Sequence, residues 1–228
     1  MPQRCGLFFI FNNQEVWMIR FFLVTISLLV LLSPVFAEGK VEAIGALAEA
    51  SIADPIKAAV EEKGWRVTGD NGKVIAEVWF AKKVDASGKE VMGANFGNIP
   101  EGTLLGVIHF PANTSDYRGQ AVKAGYYTLR YALILENGAH LGVSPTRDFV
   151  LLCSPNDDKD PKPIAPPELI KLSMKASGSG HVSPWNIVLP EAKDGLPKVV
   201  KTEEGHVVLD ANVSGIHLGL TLIGKTEG

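Results

Sequence analysis

Histidine has the widest chemical repertoire of the side chains in this sequence, because an imidazole can bind a transition metal or move a proton near neutral pH. The 228-residue chain carries five histidines and two cysteines. None of them falls in His-x-x-x-His, His-x-His or Cys-x-x-Cys spacing, so no zinc motif is present. His140 and His181 stand in glycine-rich stretches, Asn137-Gly-Ala-His140-Leu-Gly142 and Ser177-Gly-Ser-Gly-His181. Loops at one end of a β fold can converge although they are distant in sequence. Together with Asp148, they would make a two-histidine, one-carboxylate site for a divalent transition metal. The competing reading makes both histidines turn residues and places Asp148 in an ion pair with Arg147. His109 and His217 read as histidines satisfied in the core or on a sheet face, and His206, beside a hairpin turn, as exposed.

Other chemistries lack their signatures. There is no Gly-x-Ser-x-Gly elbow, phosphate loop or dinucleotide fingerprint. Cys153 alternates with Leu151 and Phe149, which predicts a buried small hydrophobe rather than a nucleophile. Asp157-Asp158-Lys159-Asp160 lacks the glycine and distal glutamate of a calcium loop and reads as a solvated charge run. A net charge of −3 provides no basic surface for nucleic acid.

The N-terminus reads as an address. Phe21 to Leu32 is an apolar run, preceded by Arg20 and followed by Ser33-Pro-Val-Phe-Ala37. A basic start, a short apolar core and small residues at the cut make a secretory signal peptide, with cleavage expected after Ala37. The run is short for a membrane span, which needs about 20 apolar residues. Met18 offers an alternative start, with residues 1–17 as an upstream extension. Cleavage would leave no transmembrane anchor and would place residues 38–228 in the periplasm or outside the cell. Cys5 would go with the signal, so Cys153 would have no internal disulfide partner.

The elements that must position any site come next. Val41, Ile44, Leu47 and Ala48 fall at helical spacing, and Asp54-Pro55 and Gly64 are helix start and stop signals, so residues 40–63 read as a helical segment. From Trp65 the apolar period changes to two. Asn71-Gly72 marks a hairpin turn. Further alternating runs cover 103–110, 126–135, 147–153, 185–189, 198–202, 206–213 and 216–223. Pro167-Glu168 opens a short helix, and the Pro-rich stretch 154–167 reads as an exposed loop. About eight or nine strands behind a short N-terminal helical segment predict a single, mainly β domain, an antiparallel β-sandwich.

Two stretches, Lys123-Ala-Gly-Tyr-Tyr-Thr-Leu-Arg-Tyr-Ala-Leu and Asn137-Gly-Ala-His-Leu-Gly-Val-Ser-Pro-Thr-Arg-Asp-Phe, resemble exported bacterial β-sandwich proteins of unassigned function. Gly64-Trp-Arg-Val and Glu77-Val-Trp-Phe belong to the same pattern. The resemblance implies export and a β-sandwich, and it carries no activity or site residues. The leading expectation is a non-enzymatic module that binds a small ligand or an envelope protein. The alternative is a metal-binding module or metal-dependent enzyme built on His140, His181 and Asp148.

Overall fold

Most strands pair with the strand before them in the chain, whether the connection is a tight turn, as at 69–73, or a long segment, as at 81–103 and 154–183. The computed structural model describes residues 39–134, 144 and 146–224. The strands are β1 (Lys40–Ile44), β2 (Gly64–Thr68), β3 (Val74–Phe80), β4 (Leu104–Phe110), the small hairpin β5 (Thr114–Ser115) and β6 (Ala121–Val122), β7 (Gly125–Leu133), β8 (Asp148–Cys153), β9 (Pro184–Val188), β10 (Lys198–Lys201), β11 (Val207–Val213) and β12 (Ile216–Ile223). Two helices intervene, α1 (Asp54–Ala59) and α2 (Pro166–Ser177).

Ten strands form one antiparallel sheet in the order β1-β2-β3-β4-β7-β8-β9-β12-β11-β10. After β9 the chain crosses to β10 and meanders back, so that β12 pairs with β9. The ends of the ladder meet. A Cβ on Gly39, just before β1, would lie 2.9 Å from Val199 Cγ1 in β10, and Lys201 Nζ lies 3.3 Å from Asp70 Oδ2. The protein is therefore mainly β and antiparallel, as expected, but it is one curled, nearly barrel-shaped sheet of ten strands. The two-layer sandwich is not what the strands build. Alternation along a strand says which residues face the core, and that pattern is the same whether the core lies between two sheets or inside one closed on itself. Register shifts at Val67/Thr68, Leu104/Gly106 and Val207/Val208 accompany the bending.

The inward faces share one core. Phe80, Phe110, Tyr131, Leu152, Trp185 and Leu220 belong to it, with Phe110 stacked on Trp185 at a ring separation of 4.8 Å. Two smaller clusters lie on the outer surface. Ile52, Ile56 and Val60, around α1, cover Trp79, Leu104 and Val107. Leu169 of α2 covers Ala132, Leu151 and Cys153.

The helical reading of residues 40–63 fails at its start. Lys40–Ile44 is a strand paired with β2, Val41 opposite Val67, and the helix is confined to α1. The apolar spacing of Val41, Ile44 and Leu47 comes from a strand that runs on into a segment wrapped across the sheet's outer face. Tertiary pairing outweighs a weak local period of this kind. Helix α2 matches expectation more closely. Proline stands in its first turn, and Gly178, with φ of 65°, donates its N–H to Met174 O at the end.

The stretch before α2 is exposed at many positions, but it is anchored by a charge pair in the interior. Asp158 and Arg130 are both buried. Arg130 Nε donates to Asp158 Oδ2 at 2.8 Å and Nη2 to Oδ1 at 2.6 Å. The remaining guanidinium hydrogens reach the carbonyls of Gly102, Asp160 and Lys162. Asp158 is thus not part of a solvated run. Its carboxylate binds the segment 158–162 to the outer face of β7 and so places α2.

Candidate functional site

The expected metal trio does not assemble from the described residues. Asp148, at the start of β8, faces the core. Its Oδ1 accepts the Phe96 N–H at 3.0 Å and the Tyr131 hydroxyl at 2.8 Å, and its Oδ2 accepts the Asn95 N–H at 2.6 Å. This carboxylate is buried and committed to holding the 95–96 turn. His181 is exposed on the other side of the sheet, beside the outward residues Phe149 and Leu151. The sheet separates the two side chains, and His140 lies outside the described residues. No group of three or more His, Cys, Asp or Glu side chains is placed to hold a metal among the described residues.

His181 instead stands at the rim of a groove. Helix α2 buries Leu169 and Ser173 against the sheet, and the Ser173 hydroxyl accepts the Ser183 N–H at 3.0 Å. The next ridge of the helix, Ile170 and Met174 at i,i+4 spacing, is not covered: the two are 37% and 36% exposed. Between this ridge and the outer faces of β7 and β8 lies a cavity of about 350 Å³. Ala132, Phe149 and Leu151 form its floor, and Pro166, Ile170 and Met174 its helical wall. That size falls within the range of small-molecule pockets, which are concave, mostly apolar and carry a few polar groups.

Those polar groups are Glu101, Arg118 and His181. Glu101 lies on the β7 side, where its carboxylate accepts the Leu133 N–H at 3.2 Å. Arg118 lies on the β9 side, in a tight turn organised by the buried Asp116. Asp116 Oδ1 accepts the N–H groups of Arg118 at 3.0 Å and Gln120 at 2.9 Å, and Oδ2 accepts the Gln120 side-chain amide at 3.0 Å. Burial pushes the Asp116 carboxyl's pKa up. The turn docks on the segment carrying His181 through Tyr117 N–H to Pro184 O at 3.1 Å, Gln120 to Val182 O at 3.2 Å and the Ser179 hydroxyl to Gln120 at 2.9 Å. Arg118 had no signal in the sequence, since an exposed arginine in a polar turn is ordinary. Only the docking of that turn places it at the groove.

A second arrangement crosses the outer face of the sheet. Register sets Glu42 beside Arg66, Arg66 beside Glu77, Glu77 beside His109, and His109 beside Tyr126. Glu77 Oε1 accepts Arg66 Nε at 2.8 Å, and Oε2 lies 2.9 Å from His109 Nδ1. The His109 ring stacks on Tyr126 at 4.2 Å. His109 is thus a satisfied sheet-face histidine, as its strand pattern suggested. His217 is exposed and paired with Asn212, and His206 is half-buried, edge-on to Tyr117.

This row predicts a pH dependence. Burial raises the Glu77 carboxyl's pKa, but the hydrogen bonds from His109 and Arg66 and the charge of Arg66 outweigh it and hold the group below 4.5. A carboxyl depressed in the folded state stabilises above its unfolded value, and that stabilisation is lost as pH falls through the folded one. Glu77→Gln is expected to cost about 1 kcal/mol at pH 7, after allowance for solvent screening of the half-exposed Arg66. The cost should shrink as the pH is lowered from 7 to about 3. Urea midpoints at the two pH values measure the difference.

Cys153 is buried under α2, and burial pushes its thiol up to about 12. The nucleophile is the thiolate, so this cysteine is expected to be inert in the folded protein. With Cys5→Ser in place, a disulfide reagent at about pH 8 should label no thiol natively and one thiol in guanidinium.

No helix among the described residues is long and apolar enough to cross a membrane. Comparison with protein-family models, curated proteins and solved structures returns no match, so the groove and its rim are the basis for a functional reading.

Proposed function

We propose that this protein is an exported, non-catalytic binding module that holds one small, largely apolar molecule in the groove between α2 and strands β7 and β8. The observation that carries this reading is the uncovered Ile170–Met174 ridge facing an apolar floor across a cavity of about 350 Å³. A helix that packs on a sheet normally buries its whole apolar stripe. Here one ridge is buried and its neighbour lines an open cavity. Export is supported by the sequence pattern of residues 20–37 alone, and it would place the module in the periplasm or outside the cell.

The test uses N-phenyl-1-naphthylamine, an uncharged dye that brightens in apolar surroundings. Saturable binding with one site per chain is expected, with loss of binding in Ile170→Arg. That substitution sets a charge at the groove wall on an already exposed position, so the fold should be retained. Absence of saturable binding, or binding that Ile170→Arg leaves unchanged, overturns the reading. Cell fractionation with an antibody to the C-terminal region checks export separately: recovery in the cytoplasm alone would exclude it.

A further inference from the structure

We infer that the groove selects amphipathic anions, with Arg118 and His181 receiving the negatively charged end of a ligand whose apolar body lies against Ile170, Met174 and Phe149. The inference rests on the groove being the binding site and adds the class of ligand.

The argument is one of charge and placement. The polar groups of the groove are segregated. Glu101 sits on the β7 side, where the Leu133 N–H already takes one of its oxygens. Arg118 and His181 both line the groove on the β9 side, where the turn carrying Arg118 is hydrogen-bonded to residues Ser179, Val182 and Pro184. Arg118 is exposed, and its guanidinium makes no hydrogen bond or ion pair with another side chain among the described residues. The buried Asp116 feels the Arg118 charge but makes no hydrogen bond to the guanidinium: it takes its hydrogen bonds from backbone N–H groups and from Gln120. The Asp116 carboxylate therefore fixes the turn that presents Arg118 and leaves the guanidinium fork open. His181 is held by its backbone. Its carbonyl accepts the Ser177 hydroxyl at 2.5 Å, and its ring is left at the rim. A guanidinium presents N–H groups in a planar fork that matches a carboxylate, and an imidazole N–H adds a further donor. An apolar trough ending in this pair complements a molecule with an alkyl or aromatic body and a carboxylate head.

Displacement of N-phenyl-1-naphthylamine from the full chain by decanoate and by 1-decanol tests this. The two share an alkyl chain and differ at the head. Decanoate is expected to bind about five- to tenfold more tightly, the range of an exposed charge-assisted contact. The preference should narrow at high salt, where exposed charges are screened. Arg118→Gln should remove most of this preference, and Arg118→Lys should keep part of it. His181→Gln should reduce it further. Equal displacement by the two compounds, or a decanoate preference that survives Arg118→Gln with His181→Gln, overturns the anion assignment while the groove stands. Failure of both to displace the dye, or decylammonium displacing it better than decanoate, also overturns the assignment, and the first of these counts against the groove as well.

Discussion

Asp158→Ala is expected to lower the unfolding free energy by about 3–5 kcal/mol, because it leaves a buried guanidinium with no counter-charge. Arg130 is enclosed at the outer face of β7, with both bridging bonds to Asp158 under 3 Å. The Thr128 hydroxyl would lose its contact to the same carboxylate. The loss should also reach the groove, since the segment fixed by Asp158 leads directly into α2. Urea denaturation gives the magnitude, and dye binding well below the transition reports whether α2 is still seated. The double variant Arg130→Met with Asp158→Leu should cost less than Asp158→Ala alone, since no buried charge then remains. A cost below about 1 kcal/mol for Asp158→Ala would show that the arginine finds water or other partners when the carboxylate is gone.

Gly102→Ala is expected to be nearly as damaging, at about 2–5 kcal/mol. Gly102 has φ of 82°, in the left-handed region that costs an L-residue about 1–2 kcal/mol. Its would-be Cβ also overlaps the carbonyl oxygen of Ile164, and overpacking of this kind adds about 1–3 kcal/mol. Neither backbone can give way cheaply. Gly102 N–H donates to Tyr131 O at 2.8 Å, while Gly102 O accepts both Ile164 N–H at 3.3 Å and Arg130 Nη1 at 3.0 Å. Gly102→Ala and Asp158→Ala act on the same segment, so their combined cost should fall short of the sum of the separate ones. Strict additivity in urea denaturation would mean that the two contacts hold the segment independently.

The parts of the fold legible in the sequence were those set by local rules. The turn at Asn71-Gly72 forms where the dipeptide places it, with Gly72 at φ of 73°. The long run in β7 puts Leu129 and Tyr131 inside and Arg130 outside, as its period of two requires. Cys153 is the buried hydrophobe its neighbours Leu151 and Phe149 implied. Local rules misled at Lys40–Ile44, where a short apolar spacing fits helix and strand alike. They misled again at Asp158, where a charge run of ordinary appearance hides one residue that is anything but solvated.

By itself, then, the sequence determined the strands of the main sheet other than β1, the antiparallel turns, the second helix and the inward or outward facing of side chains along most strands. These follow from dihedral preferences and from a two-residue or 3.6-residue period, which act over a few positions. Only the tertiary structure decided that ten strands curl into one nearly closed sheet, that Arg130 captures Asp158, that Asp148 and His181 fall on opposite faces, and that Arg118 and His181 line one groove. Each of these joins residues more than a turn apart in the chain, and no local pattern encodes such a meeting. It arises where buried charge must be compensated and apolar faces must be covered, and the whole fold settles those two demands together.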